Sequence, residues 1–359
     1  MRILVRNILL PIIIISLLVL TAACSSASFQ VTPTEGLDGF EAGVDKIRVD
    51  LKIPGMSTCI VKDEEIVWSR GFGYANIEKQ IPVTEDTSFH IASLTKTFAA
   101  IITMQLVQEG KLGLQTPVNE FGIDLDNVRI VHLLTHTSQS EPPGAKYKYC
   151  GDCFALMDRV IESVSGATFA ELLVDRIIKP LELSHTAPSI ADSFAFGLTG
   201  YDRDGFQNNM TMPYENHGID TVRQTEYRTY FGTAAGLVSS VSDLGRYAIA
   251  LDKEEFLQPE TWETLFTPAT SVTTGKILPY GIGWFIQTYG GDVLYWHYGQ
   301  WQGCAALIIR VPNKGITFIA LANNETLSSA YPMGKGDVTK SELARLFLDY
   351  YITGDKPFP

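Results

Sequence analysis

Positive charge is what this chain is short of. Lys and Arg number 28 against 40 Asp and Glu, a formal net charge of -12. A surface of that sign repels phosphate backbones, so nucleic acid is not expected as a partner. No run of like charge forms a basic arm or an acidic tail. No repeat is visible, which excludes solenoids and propellers. Gly and Pro, at 30 and 17 residues, stay near ordinary usage, so collagen-like and wholly disordered classes are excluded. The pair Cys150 and Cys153 forms a C-x-x-C, but no second C-x-x-C and no paired His accompany it. No metal is therefore expected, and the pair reads as a local disulfide or as two small buried thiols. Nothing in the composition calls for a cofactor.

The longest apolar run lies at the very start. Arg2 and Arg6 precede the stretch Ile8 to Leu20, and Leu20-Thr21-Ala22-Ala23-Cys24 follows. Such a run is short for crossing a bilayer and has the order of a signal peptide. Small residues just before a cysteine resemble the lipobox of bacterial lipoproteins, although Thr21 stands where Leu is usual. The resemblance implies that residues 1–23 are removed, that Cys24 carries the lipid, and that residues 24–38, rich in Ser, Thr, Pro and Gly, tether a domain to a membrane. An uncleaved anchor or plain secretion is the other reading. In each case the remainder is expected to be exported, and the lipid anchor would hold it at the cell envelope.

With 45% hydrophobic residues in 359, the chain can bury a sizeable core. Phe40, Val44 and Ile47 recur at helical spacing and predict a first helix ending before Pro54. Met56 to Val61 and Glu65 to Tyr74 predict a hairpin turning at Lys62-Asp63-Glu64. Ile91 to Val107 is apolar almost all round and predicts a buried central helix. Leu156, Val160, Ile161 and Val164 form a helical stripe closed by Gly166, and Thr168 with Glu171 forms a capping box. Residues 198–232 are polar and aperiodic, which predicts a long loop region over a site. Strands follow at Val293 to His297, Cys304 to Val311 and Ile316 to Ala322, then a last helix from Val338 to Tyr351. Strands at both ends therefore bracket a helical insert. Within residues 39–359, the sheet part is expected at about 39–85 and 285–359, and the helical lobe at about 86–284.

Three segments carry chemistry. In Ser93-Leu94-Thr95-Lys96 the serine and lysine share one helical face. A serine hydroxyl needs a neighbouring base, and a lysine buried in an apolar helix can have its pKa lowered to become one. Near a helix start, free N–H groups also favour an oxyanion. The ordinary alternative is a lysine whose head snorkels to water. Tyr149, just before a helix, can act as a phenolate-type proton carrier or simply pack at the helix entry. His297, in Tyr295-Trp296-His297-Tyr298-Gly299-Gln300, can line a cleft from a strand end, where Gly299 lets substrate approach the backbone. A satisfied core histidine is its ordinary alternative.

In this order the segments resemble the superfamily of class C β-lactamases, penicillin-binding proteins and serine esterases. The resemblance runs from about residue 40 to 359. It includes Val131-His132-Leu133-Leu134-Thr135-His136-Thr137-Ser138, Ala235-Gly236-Leu237 and Tyr280-Gly281-Ile282-Gly283-Trp284. It implies an α+β fold, an antiparallel sheet flanked by helices with an inserted all-helical lobe and the site between them. It implies that Ser93 is acylated, that Lys96 and Tyr149 share base and acid work, and that His297 replaces the Lys of the family's K-T-G. The N–H groups of Ser93 and Gln300 would form the oxyanion hole. Two positions depart from the pattern. Gly151 stands where the Asn of Y-x-N binds the substrate's acyl amide, and Gln139 stands where Gly is frequent. The expected function is hydrolysis of esters, amides or D-amino-acid peptides through an acyl-enzyme, on a small-molecule or peptidoglycan-like substrate. Gly151 counts against β-lactamase activity. The alternative is a catalytically weak homologue that binds a muropeptide or another envelope ligand.

Overall fold

The structure is a computed structural model that describes residues 37–217 and 221–354. The expected signal segment 1–23, Cys24 and the tether as far as residue 36 lie outside the described residues. Helix α1, Leu37–Asp50, buries Phe40, Val44 and Ile47 and ends before Pro54, as its spacing predicts.

Seven strands form one antiparallel sheet. From the N-terminal segment come β1 (Gly55–Lys62), β2 (Glu65–Asn76) and the short β3 (Ile81–Pro82). Asp63 and Glu64 both have positive φ, 50° and 66°, the conformation of a two-residue hairpin turn that matches strand twist. After β4 (Phe89–His90), β5 (Tyr214–His217), β6 (Thr221–Gln224) and β7 (Val238–Ser239) come the C-terminal strands. These are β8 (Phe285–Tyr289), β9 (Asp292–Trp301), β10 (Cys304–Val311) and β11 (Ile316–Ala322). The sheet order is β3-β2-β1-β11-β10-β9-β8, so the two ends of the described chain meet at β1 and β11.

β10 and β11 are buried at every residue because helices cover both faces. Ile308, Ile319 and Leu321 face a core shared with α2 (Thr95–Gln108) and the helix Val241–Asp252. Leu307, Ile309 and Phe318 face the opposite core, with α1 and the helix Glu342–Leu348. Coverage on both sides explains the near-continuous apolar runs in antiparallel strands, which usually alternate.

The stretch between the two groups of sheet strands is chiefly helical, with two small ladders, β4 with β7 and β5 with β6. Residues 198–217 and 221–232 hold more regular structure than a long loop. Asp202 caps a helix, Arg203–Asn208, by accepting from the Gly205 N–H, and β5 and β6 pair beyond it. The last helix is broken where one was expected. Ser341 caps Glu342–Leu348 by accepting from the Ala344 N–H, Val338–Lys340 forms a separate turn, and Asp349–Thr353 widens into a π turn. Among the described residues no helix is long and apolar enough to cross a membrane.

Candidate active site

Ser93 lies in the tight turn Ala92–Leu94 that opens α2. Ala92, just before it, is buried at φ 46°, a region costly for a residue with a Cβ. Three bonds hold it there. The Ala92 N–H donates to His90 Nδ1 at 3.1 Å, Thr95 Oγ1 donates to the Ala92 carbonyl at 2.7 Å, and the Leu237 N–H donates to Thr95 Oγ1 at 3.1 Å. The Ser93 N–H, in the first turn, has no acceptor within that turn by position.

Gly299 fixes the strand side. A Cβ there would lie 2.1 Å from the Ile91 carbonyl oxygen, so only glycine lets β9 approach the chain leading to Ser93. β8 pairs with β9 only from Asp292 to Trp296, leaving the Gly299-Gln300 end of β9 without that neighbour. Gly299→Ala should destabilise the fold by about 1–3 kcal/mol, the usual scale of overpacking. Thermal unfolding checks this; an unchanged midpoint would mean the two backbones separate freely.

Lys96 is fully buried, one helical turn beyond Ser93. Its Nζ donates to Ser93 Oγ at 3.1 Å and to the Ala234 carbonyl at 2.6 Å. It also lies over the rings of Tyr149 and Phe154, 5.2 and 5.4 Å from their centroids. Burial lowers its pKa to about 7, against a smaller upward pull from Asp152. The snorkelling alternative is therefore excluded by placement: the head points inward. The Ala234 carbonyl is itself held in place, because Asp158 accepts from the Thr233 N–H at 2.6 Å and from the Tyr230 hydroxyl at 3.0 Å.

Tyr149 is brought to the same spot. Burial drives its pKa far above 10, the nearby Tyr298 adds to this, and the Ser93 hydroxyl pulls only weakly the other way. It is a neutral phenol rather than a phenolate. Its hydroxyl makes no well-formed hydrogen bond, although the Ser93 hydroxyl lies near enough to act on it. His136 sets the backbone on both sides: its carbonyl accepts from the Lys148 N–H at 2.8 Å, and its Nδ1 accepts from the Cys150 N–H at 3.2 Å. The His136 and Tyr149 rings pack 4.3 Å apart. Cys150 and Cys153 are joined as a disulfide, and Gln139 Nε2 donates to Cys150 Sγ at 3.2 Å.

His297 is fully buried, and both ring nitrogens are engaged. Nδ1 lies 2.7 Å from the Tyr298 carbonyl, which can only accept, so Nδ1 carries the proton. Nε2 then accepts from the Tyr280 hydroxyl at 2.8 Å. Burial, with the nearby Lys96 charge, holds its pKa well below 6.5, so it is a neutral imidazole. It makes no hydrogen bond to Ser93, Lys96 or Tyr149. Gly151 begins the helix Gly151–Ala155, and a Cβ there would meet nothing within 4 Å. The Gln300 side chain is exposed. Among the described residues no group of three or more His, Cys, Asp or Glu is placed to hold a metal ion.

His90, His136, Asp158 and the Ala234 carbonyl were not singled out as site residues from the sequence. His90 and His136 lay in segments carrying the resemblance, but neither was given a role there. The others act through backbone contacts that residue spacing does not encode.

A serine, a buried lysine and a neutral tyrosine are thus gathered between an antiparallel sheet and a helical region, an arrangement suited to serine acyl transfer. The β-lactamase family profile matches residues 40–334, and the chain belongs to that family of serine hydrolases. Penicillin-binding protein 4* of Bacillus subtilis is 26% identical over 73% of this chain and 66% of its own. An unguisins hydrolase of Aspergillus campestris is 26% identical over 78% of this chain and 60% of its own. The chain thus spans about 60–66% of the length of these relatives. An octameric penicillin-binding protein homologue from Pyrococcus abyssi superposes with a TM-score of 0.75 at 24% identity, over 89% of this chain and 78% of its own. A D-amino acid amidase from Ochrobactrum anthropi does so with a TM-score of 0.69 at 20% identity, over 88% and 99%. These two likenesses establish the fold.

Proposed function

We propose that this protein is an exported serine hydrolase that forms an acyl-enzyme on Ser93 and acts on esters, amides or D-amino-acid peptides. The observation that carries this is the contact between Lys96 Nζ and Ser93 Oγ at 3.1 Å, with the lysine's pKa lowered to about 7 by burial. A lysine in that range is half neutral near pH 7 and can accept the serine proton. Ser93 Oγ then bonds to the substrate carbonyl carbon, and the oxyanion rests on the N–H groups of Ser93 and Gln300. As the tetrahedral intermediate collapses, the bond to the leaving alcohol or amine breaks. The Tyr149 hydroxyl hands that group a proton and recovers one from Lys96. Water, deprotonated by the same pair, then attacks the acyl carbon and releases the acid, restoring Ser93. His297, as a neutral acceptor, steadies Tyr280 beside this cluster.

An activated ester should give a burst of one equivalent of product, with the acyl group on the peptide containing Ser93 by mass mapping. Label confined to another serine refutes the assignment.

We also propose that the chain is lipid-anchored through Cys24 at the cell envelope, on the strength of the segment Arg2 to Cys24. Inhibiting the lipoprotein signal peptidase should then accumulate precursor, and the mature protein should carry lipid by mass spectrometry. A mature N-terminus elsewhere, or no lipid, contradicts the proposal.

A further inference from the structure

At the other end of β9 and β10 the two strands pair Tyr295 with Arg310. A cavity of about 670 Å³ opens there, and Ser93, Lys96, Tyr149 and His297 line none of it. Its walls include Trp262, Phe266 and Tyr295. Arg310 and Asp252 also line it, and they are unusual for groups inside a fold. Arg310 is only 3% exposed. Its Nη2 donates to Asp252 Oδ1 at 2.7 Å, and its guanidinium lies 5.4 Å from the centre of the Phe266 ring. That single bond leaves both partners incomplete. Arg310 Nε and Nη1 are buried without a partner among the described residues, and so is Asp252 Oδ2.

Buried donors and acceptors are normally matched, because an unmatched one loses its water with nothing in return. A guanidinium has no acceptor and a carboxylate has no donor. The unmatched Arg310 positions therefore suit an anionic or carbonyl oxygen, and the unmatched Asp252 oxygen suits an ammonium or another donor; all three atoms are covered as they stand, so a small turn of the two side chains must present them to the cavity for a ligand to meet them. The rim supplies a third constraint. Asp63 is paired with Lys62 and Glu64 with Lys253, but Glu254 and Glu263 are exposed and form no ion pair among the described residues. A rim of net negative charge repels a simple anion and draws in a group carrying positive charge. The aromatic walls favour an apolar or aromatic body, and they attract cations as well.

We propose that this cavity is a second, non-catalytic site for a free α-amino acid with an apolar side chain, bound as the zwitterion. Its carboxylate meets Arg310, its ammonium meets Asp252 with Glu254 and Glu263 behind it, and its side chain lies against Trp262 and Phe266. The charged ends of one small molecule thereby complete both members of a half-satisfied buried pair.

The test is calorimetric titration of the purified full-length protein with phenylalanine, N-acetylphenylalanine and phenethylamine. Phenylalanine should bind saturably. The acetylated analogue, lacking the ammonium, and the amine, lacking the carboxylate, should each bind at least about tenfold more weakly. The Ser93→Ala variant should bind phenylalanine as tightly as wild type, which separates this site from the acyl chemistry. Arg310→Met should abolish binding. Because that buried variant can misfold, Glu254→Gln/Glu263→Gln, changed only at the exposed rim, should weaken binding about three- to tenfold with an unchanged unfolding midpoint. No binding of phenylalanine up to about 10 mM would mean that water alone completes the pair, and the proposal falls. Equal affinities for the three compounds, or an affinity untouched by both sets of substitutions, overturn it as well.

Discussion

Lys96→Met should slow acylation of an activated ester by about 10²–10⁴-fold, the span that a positioned general base usually contributes. Methionine fills a similar volume without the charge, so the apolar helix accepts it, while Ser93 loses the basic nitrogen bonded to its hydroxyl. The wild-type rate should rise with pH through about 7, where Lys96 gives up its proton, and this limb should vanish in the variant. Stability provides a second readout with a fixed sign. A lysine whose folded pKa is depressed binds its proton more readily in the unfolded chain. Between about 7 and its ordinary 10.5 the unfolded state therefore holds more protons, and stability rises with pH across that window. Below about 7 the burial penalty is fully present. Lys96→Met should be less pH-dependent in stability over the same range. A variant that keeps the wild-type acylation rate and its limb near 7 removes Lys96 as the base.

That prediction rests on residues legible in the sequence. Ser93 and Lys96 announce themselves because a lysine inside the apolar segment Ile91 to Val107 has no ordinary place in a core. β10 and β11 were legible to the residue, since each is a near-continuous apolar run, interrupted only by Arg310 and Thr317 and bounded by turn residues. Other features were not legible. The strain at Ala92, held by His90, depends on a backbone bond, and no hydrophobic period reveals one. The support of the Lys96 acceptor by Asp158 joins segments 75 residues apart. Period also misled at Val338 to Tyr351, where apolar spacing continues across Ser341 although its hydroxyl starts a new helix. His297 was visible as a motif, but which atoms its nitrogens meet is settled only by Tyr280 and the Tyr298 carbonyl.

Gly151→Asn should raise acylation by penicillins relative to short-chain esters by about ten- to a hundredfold. In the resembling family the Asn of Y-x-N donates to the amide of the acyl group. Here Gly151 offers no side chain, so an amide-bearing acyl group enters with one polar group unmatched. Such a loss amounts to about 1–3 kcal/mol, which is the stated rate factor if it is felt in the transition state. Simple esters have no amide to match and a better leaving group, so the wild type should turn over esters faster than penicillins or D-alanyl peptides. The structure makes the substitution feasible, since a Cβ at Gly151 meets nothing within 4 Å, whereas a packed position would answer with strain instead of function. Two neighbours could already fill the role. Asp152 is exposed, and its charge reaches Lys96, but a carboxylate cannot donate to an amide carbonyl. Gln139 has two donors on Nε2, and the bond of one of them to Cys150 Sγ at 3.2 Å holds the amide against the disulfide. Gln139→Ala should therefore leave the penicillin-to-ester ratio of kcat/KM unchanged, while Gly151→Asn shifts it. A ratio that moves with Gln139 and not with Gly151, or a wild type that already prefers penicillins, would transfer the specificity from the missing side chain to the loop before Tyr149. A wild type that is acylated but turns over neither class would favour the weak homologue that binds a muropeptide.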